Sequence, residues 1–396
     1  MSPDAPDTDL ERMVGAFLAD HPVDATDRLD FLRARFDAGL AWVHYPVGLG
    51  GLGMPRSEQP LVDRLFAEAG SPDNSSRTNG IGLGMAAPTI LAFGTDEQKQ
   101  RFLRPLWTGE QIWCQLFSEP GAGSDLAAVA TRAVRDGDEW VVNGQKVWTS
   151  VAHKAQLAIL VARTDPSVPK HDGLTYFLCD MTQPGVDVRP LRQITGEAEF
   201  NEVFLTDVRI PDSQRLGAEG EGWKVANATL NNERVAIGGG AAPRESGMVG
   251  VVAQTWRDRP DLRTHDTHQR LVSLWVEAEV ARLTGKRLQE KLAKGQPGPE
   301  GSAMKLTFAR LAQQLSGLEV ELLADDGLRY EDWTMVRPDA VSFTGKDAGY
   351  RYLRAKGNSI EGGTSEILLN IIAERVLGLP AEPRGDKGVA WKDLPR

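Results

Sequence analysis

Residues 115–125 read Gln115-Leu116-Phe117-Ser118-Glu119-Pro120-Gly121-Ala122-Gly123-Ser124-Asp125, and residues 143–150 read Asn143-Gly144-Gln145-Lys146-Val147-Trp148-Thr149-Ser150. These two runs decide the fold. The first gathers glycine, proline and hydroxyl side chains where backbone N–H groups can face an anionic or heteroaromatic ligand. The second sets Asn143-Gly144, a strong hairpin signal, between Glu139-Trp140-Val141-Val142 and Gln145-Lys146-Val147-Trp148. That spacing predicts a two-residue turn and places Trp148 and Ser150 on a strand. A glycine-rich surface loop accounts for the first run taken alone. The aromatic strand close behind it makes it a binding loop with a wall beside it.

Outward from these runs the hydrophobic period changes twice. From Asp9 to about Gly109 it is helical, with Met13, Phe17, Leu29, Leu32 and Phe36 at helical intervals and a cap-like Thr95-Asp96-Glu97-Gln98 before Phe102-Leu103. Across residues 115–215, short runs such as Leu157-Ala158-Ile159-Leu160-Val161 and Leu174-Thr175-Tyr176-Phe177-Leu178 alternate with turn residues, which predicts strands. After Gly220-Glu221-Gly222-Trp223 the helical period returns. Phe308, Leu311, Leu315, Leu318 and Leu322 form a seam suited to packing one long helix on others, and residues 294–301 read as an interhelical loop. The expectation is an α+β multidomain chain: an N-terminal helical domain over 1–114, a small middle β-barrel or sandwich over 115–220, and a C-terminal helix bundle over 221–396.

The 396 residues suffice for two or three cores. With 41% hydrophobic and 25% charged residues the composition is that of a soluble globular protein. No apolar run reaches a membrane span, and the acidic start Met1-Ser2-Pro3-Asp4 lacks the order of a secretory signal, so a cytoplasmic location is expected. Cys114 and Cys179 are too few for a disulfide framework and read as two buried, reduced thiols. A net charge of −10 argues against nucleic acid as partner and requires a local basic pocket for an anionic substrate. His265 and His268 lack a third ligand, so no metal is expected. Gly48, Gly50, Gly51 and Gly53 imitate a dinucleotide fingerprint without its strand and helix, and read as a turn.

The two opening runs resemble the flavin-binding segment of the acyl-CoA dehydrogenase family. Four further stretches extend the resemblance over nearly the whole chain: Tyr45-Pro46 with Gly50-Gly51-Leu52-Gly53; Gly94-Thr95-Asp96-Glu97-Gln98-Lys99; residues 194–203; and Glu361-Gly362-Gly363-Thr364-Ser365-Glu366-Ile367 running into Ala373-Glu374-Arg375-Val376-Leu377-Gly378. The resemblance implies a C-terminal four-helix bundle and FAD. Phe117 and Ser118 would meet the polar edge of the flavin ring, Gly123 and Ser124 the pyrophosphate, Trp148 a ring face, and Ser150 the neighbourhood of N5. Thr364 and Glu366 match further nucleotide contacts and also read as a helix N-cap pair. Gln269 matches the end of a segment that grips FAD from a neighbouring subunit, although the rest of that segment is missing and only Arg257 and Arg259 stand near its place. Leu323-Ala324-Asp325-Asp326-Gly327 replaces a second, glycine-rich segment of that grip.

The activity implied is α,β-dehydrogenation of an acyl-CoA thioester to the trans-2-enoyl-CoA in fatty acid metabolism, with electrons passed to an electron-transferring flavoprotein. Alternatives are a flavin oxidase or monooxygenase of the same fold, and a non-catalytic flavin-binding partner subunit of a hetero-oligomer. The reaction needs a carboxylate to remove the α-proton. Glu233, in Leu230-Asn231-Asn232-Glu233-Arg234, matches a family position on a helix, and Glu361 stands one residue before the family's other position, here Gly362. Glu233 is preferred, because a one-residue shift in a glycine loop turns a side chain in another direction. Ser124, Arg234 and the Gly362 N–H are the substrate contacts implied. A homodimer or homotetramer is expected.

Overall fold

The middle of the fold is set by two strands that have no solvent face. In β4 (Leu157–Arg163) every residue is buried, and its alternate side chains serve two cores. Leu157, Ile159 and Val161 join a cluster shared with helices, while Ala158, Leu160 and Ala162 join a cluster inside the sheet's own curl. The same division runs along β5 (Leu174–Asp180), with Leu174, Tyr176 and Leu178 on one side and Phe177 and Cys179 on the other. A continuous apolar run is what a strand covered on both faces requires.

The computed structural model describes residues 9–238, 243–292, 301–330, 332–340 and 342–395, the side chains of 233–238 and 291–292 excepted. Before the sheet come α1 (Asp9–Asp20), α2 (Arg28–Asp37), α3 (Gln59–Glu68), α4 (Ala87–Phe93) and α5 (Asp96–Trp107). The expected cap is present at α5, where the Thr95 side chain accepts from the Gln98 N–H and the Gln98 side chain accepts from the Thr95 N–H. In α1 the core is made by Leu10, Val14 and Phe17. Met13, expected among the apolar positions, is exposed because it lies one residue off that face. Gly48, Gly50 and Gly53 have positive φ and form turns, as expected.

The sheet adds β1 (Trp113–Leu116), β2 (Arg132–Asp136), β3 (Glu139–Ser150), β6 (Val186–Pro190) and β7 (Phe200–Pro211) in the order β1-β4-β2-β3-β7-β6, with β5 on β4. Asn143-Gly144 is not the hairpin turn. The hairpin closes at Gly137-Asp138, where Asp136 pairs with Glu139, and β3 runs unbroken through Asn143. Two local demands explain the dipeptide. A Cβ on Gly144 would stand 2.3 Å from Thr131 Oγ1, and the Asn143 side chain exchanges hydrogen bonds with Asp207 across a slip in the β3–β7 register. Cys114 and Cys179 are free and buried, as expected, and burial pushes the Cys179 thiol up to about 12.

After the sheet come α6 (Gly222–Gly238), α7 (Met248–Asp258), α8 (His265–Leu292), α9 (Gly301–Leu323), α10 (Ala348–Ala355) and α11 (Ser365–Ile371). Leu311, Leu315, Leu318 and Leu322 of the expected seam are buried in α9 against Val249, Val252, Leu271 and Leu274 of α7 and α8. Most of the loop expected at 294–301 lies outside the described residues. Three buried hydroxyls join the parts of the chain: Thr229 Oγ1 of α6 is 3.0 Å from Thr89 Oγ1 of α4 and 3.0 Å from the Tyr176 hydroxyl of β5. No described helix is long and apolar enough to cross a membrane.

Candidate active site

The binding loop is held from beneath by a lysine. Lys146 is fully buried and spends its three donors on the Phe117 carbonyl at 2.9 Å, Glu119 Oε1 at 2.8 Å and the Val161 carbonyl at 2.9 Å. Glu119 accepts in turn from the N–H groups of Ala130 at 2.6 Å and Thr131 at 2.9 Å. Burial works against its charge, yet Lys146 and these donors hold the Glu119 carboxyl below its ordinary range. Glu119 and Ala122 exchange backbone hydrogen bonds of 3.0 Å, closing a tight turn that presents Gly123, Ser124 and Asp125 to the outside. The sequence reading missed Lys146 and Glu119 as site residues. Their signal is burial, which composition does not reveal.

The wall is made by a bulge. Pairing of β3 with β7 slips between Lys146 and Thr149, the Val147 N–H turns aside to the Ser118 carbonyl at 2.9 Å, and Trp148 takes φ of 60°. A non-glycine residue there is uncommon and marks a designed departure from the strand. The result is an indole 58% exposed, edge-on to Phe200, beside the loop that carries Ser118. Ser150 sits half-buried on the same strand, paired with Phe200. Phe117 is buried and meets Tyr176 edge to face.

A flat aromatic ligand with a phosphate tail fits this arrangement. Cβ atoms added at Gly121 and Gly123 would meet nothing within 4 Å, and neither residue has positive φ. The chain itself demands no glycine there, whereas a ligand pressed against the backbone does.

A second glycine loop lies in the C-terminal part. Gly362 and Gly363 have φ of 65° and 97°, conformations that glycine alone adopts freely. Lys305, buried on α9, donates to the Gly363 carbonyl at 2.7 Å. Thr364 caps α11 by accepting from the Ile367 N–H, and Glu366 is exposed in its first turn. Glu361 is engaged: Arg354 donates to both of its oxygens, at 3.0 and 2.9 Å. The same guanidinium lies 3.0 Å from Glu199 Oε1, without hydrogen-bond alignment, and stacks over Phe343 at 4.9 Å. Glu199 is fully buried, and desolvation, opposed by Arg354, pushes its pKa up to about 7. Neither Glu199 nor Arg354 was singled out from sequence.

The backbone places Glu233 and Arg234 on α6, one turn beyond Thr229; their side chains lie outside the described residues. Gln269 is exposed on α8, 3.4 Å from His265. Arg257 and Arg259 are taken up by Glu245 at 2.7 Å and Asp261 at 2.9 Å, and Arg259 also approaches Asp326 at 3.6 Å. His268 stacks on Trp256, and among the described residues no His, Cys, Asp and Glu group could hold a metal.

Models of the acyl-CoA dehydrogenase N-terminal, middle and C-terminal domains match residues 9–110, 114–208 and 220–377. The chain belongs to the acyl-CoA dehydrogenase family. It is 39% identical over 358 residues to acyl-CoA dehydrogenase IpdE1 of Mycobacterium tuberculosis, covering 88% of this chain and 87% of that protein. It is 43% identical over 348 residues to acyl-CoA dehydrogenase FadE34 of the same organism, covering 87% of this chain but 45% of FadE34, so it spans less than half of that relative's length. Among solved structures, the Tcur3481-Tcur3483 steroid ACAD superposes with a TM-score of 0.72 at 26% identity, covering 94% of this chain and 97% of that one. The ChsE4-ChsE5 complex from Mycobacterium tuberculosis gives 0.70 at 26%, covering 96% and 100%. Acyl-CoA dehydrogenases are FAD-dependent oxidoreductases acting on acyl-CoA.

Proposed function

We propose that this acyl-CoA dehydrogenase removes hydrogen across the α and β carbons of an acyl-CoA thioester, giving the trans-2-enoyl-CoA, with Glu233 as the base. The observation that carries the reading is the Trp148 bulge, fastened by Val147 to the Ser118 carbonyl, which supports an aromatic cofactor against that loop. Phe117, Ser118, Gly123, Ser124, Trp148, Ser150, Thr364 and Glu366 would hold FAD, with Gln269 reaching it from a neighbouring subunit. FAD, when bound, supplies the acceptor for the β-hydrogen and its electron pair. Glu233 takes the α-proton, the Gly362 N–H faces the thioester oxygen as negative charge develops on it, and Ser124 and Arg234 contact the substrate.

Glu361 is the weaker base. Both of its oxygens are already engaged by a buried arginine, which turns them away from a substrate. Glu233→Gln is expected to retain FAD and to abolish anaerobic bleaching of the flavin by acyl-CoA, while Glu361→Gln still bleaches. A Glu233→Gln enzyme bleaching at the normal rate, with Glu361→Gln inert, would transfer the role.

The substrate we propose is a bulky, ring-bearing acyl-CoA, because a structure superposing over most of the chain is named a steroid ACAD. A panel setting steroid-derived against straight-chain thioesters tests this by kcat/KM. The electron acceptor proposed is an electron-transferring flavoprotein. Aerobic turnover that released peroxide in step with enoyl product would indicate an oxidase instead. One observation favours a second reading, a partner subunit of a mixed assembly: Asp325 and Asp326 stand where glycines would grip FAD, and Asp326 is turned to Arg259 of its own chain. Such a subunit would be colourless when purified alone.

A further inference from the structure

The buried cluster around Arg354 joins two surfaces that the reaction needs in register. On one side is the wall: Glu199 accepts through its carbonyl from the Val151 N–H at 2.8 Å, and the next residue, Phe200, pairs with Ser150 and carries the Trp148 indole edge-on. On the other side is the loop: Arg354 grips both oxygens of Glu361, the residue before Gly362. Arg354 and Glu199 are buried, and the guanidinium lies over the rings of Phe343 and Phe200 at 4.9 and 5.8 Å. No other ion pair described links these two segments.

We propose that Arg354 is the positioning residue that locks the Trp148 wall, reached through Phe200, to the Glu361–Gly363 loop, with Glu199 as the competing carboxylate beside it, so that cofactor wall and thioester-binding backbone move as one body. What the two surfaces bind rests on the dehydrogenase reading above. Two carboxylates share one guanidinium here. Glu361 keeps the aligned bonds, while Glu199 has no aligned donor on either oxygen. The other groups facing it do not supply a second cation: Glu197 is neutralised by Lys346 and accepts from the Tyr350 hydroxyl, the Gln193 side chain takes the Glu199 N–H, and His153 and Arg337 are turned to Asn201. Burial therefore favours a proton on Glu199 up to about pH 7. Below that pH Glu361 is the one carboxylate that Arg354 serves, with Asn358 accepting at 3.4 Å. Above it the ionised Glu199 competes for the guanidinium and loosens the loop.

The sign of the linkage follows. Glu199 has a folded pKa raised above its unfolded value near 4.5, so its contribution to stability is fully present below that value and is lost as pH rises through about 7. Glu199→Gln keeps the shape and removes the charge. It is expected to leave Tm unchanged below about pH 4.5, to raise it increasingly from there to pH 7 and by several degrees above, while the wild type's acyl-CoA KM should rise severalfold across neutrality and the variant's should not. Arg354→Lys, which keeps the charge but cannot grip two carboxylates, should raise KM severalfold at every pH while lowering kcat much less. A Glu199→Gln protein whose Tm and KM follow the wild-type pH profiles overturns the proposal. The Tm comparison needs no substrate, so a wild-type chain that no acyl-CoA reduces would count against the dehydrogenase and not against this bridge.

Discussion

At the scale of single residues, the site is held by buried charges that do no chemistry themselves. Lys146 is the clearest, a lysine with no solvent contact and three full hydrogen bonds beneath the loop of Ser118 and Ser124. Lys146→Met leaves Glu119 charged and buried, which costs about 3–5 kcal/mol and frees the loop. The expected outcome is a lower urea midpoint together with lost FAD retention. Adding Glu119→Gln, which can still accept from Ala130 or Thr131, should recover much of the stability, and a double variant no better than Lys146→Met would show that the pair is not the cause. Such residues were unreadable in sequence because burial and pairing join positions far apart in the chain. Thr364 was readable as a cap because its hydroxyl stands just before a helix, and the roles read for Trp148 and Ser118 rest on local signals too, an aromatic on a strand and a hydroxyl in a glycine loop.

Among the elements, α6 carries the proposed base, and its placement depends on Thr229 one turn earlier. The Thr229 hydroxyl meets Thr89 and Tyr176 in a dry junction among α4, β5 and α6. Thr229→Val strands the buried Tyr176 hydroxyl at a cost of about 1–3 kcal/mol. The denaturant midpoint should fall with an unchanged m-value, and the rate of flavin reduction should fall more than FAD binding, since α6 shifts while the binding loop does not. Unchanged reduction kinetics would mean that α6 is placed by its apolar contacts alone. Most elements were visible in the sequence. The α5 cap, the α9 seam and the β4 and β5 runs each repeat at the period of the structure they form. Asn143-Gly144 was misread because a dipeptide that suits a hairpin also suits a bulge in a continuous strand, and only Thr131 and Asp207, supplied by other segments, decide between them.

Over the whole molecule, the last residues return to the middle of the fold, which no periodicity foretold. Trp391 donates to the Ala128 carbonyl at 3.2 Å under the buried Arg163, Ala390 bridges to Pro169, and Lys170 is shared by Asp125 and Asp386 at 2.6 Å each. This strap ends on the residue next to Ser124. A chain stopped after Glu382 should melt several degrees lower and lose FAD faster on dilution, and Asp386→Asn should show the second effect with little of the first. Retention equal to wild type in both would reduce the strap to a surface tail. The three-part order of helices, sheet and helices was legible from the change of hydrophobic period alone, whereas the contacts that hold the parts together were not. The central claim, that this fold oxidises an acyl thioester between its α and β carbons, is tested most directly by one anaerobic single turnover. The protein is mixed with a stoichiometric acyl-CoA from the steroid and straight-chain panel, and the flavin spectrum and thioester mass are followed together. The account predicts that the yellow absorbance falls in step with loss of two hydrogens from the acyl group. A flavin that keeps its colour while every thioester in the panel stays unchanged would contradict it.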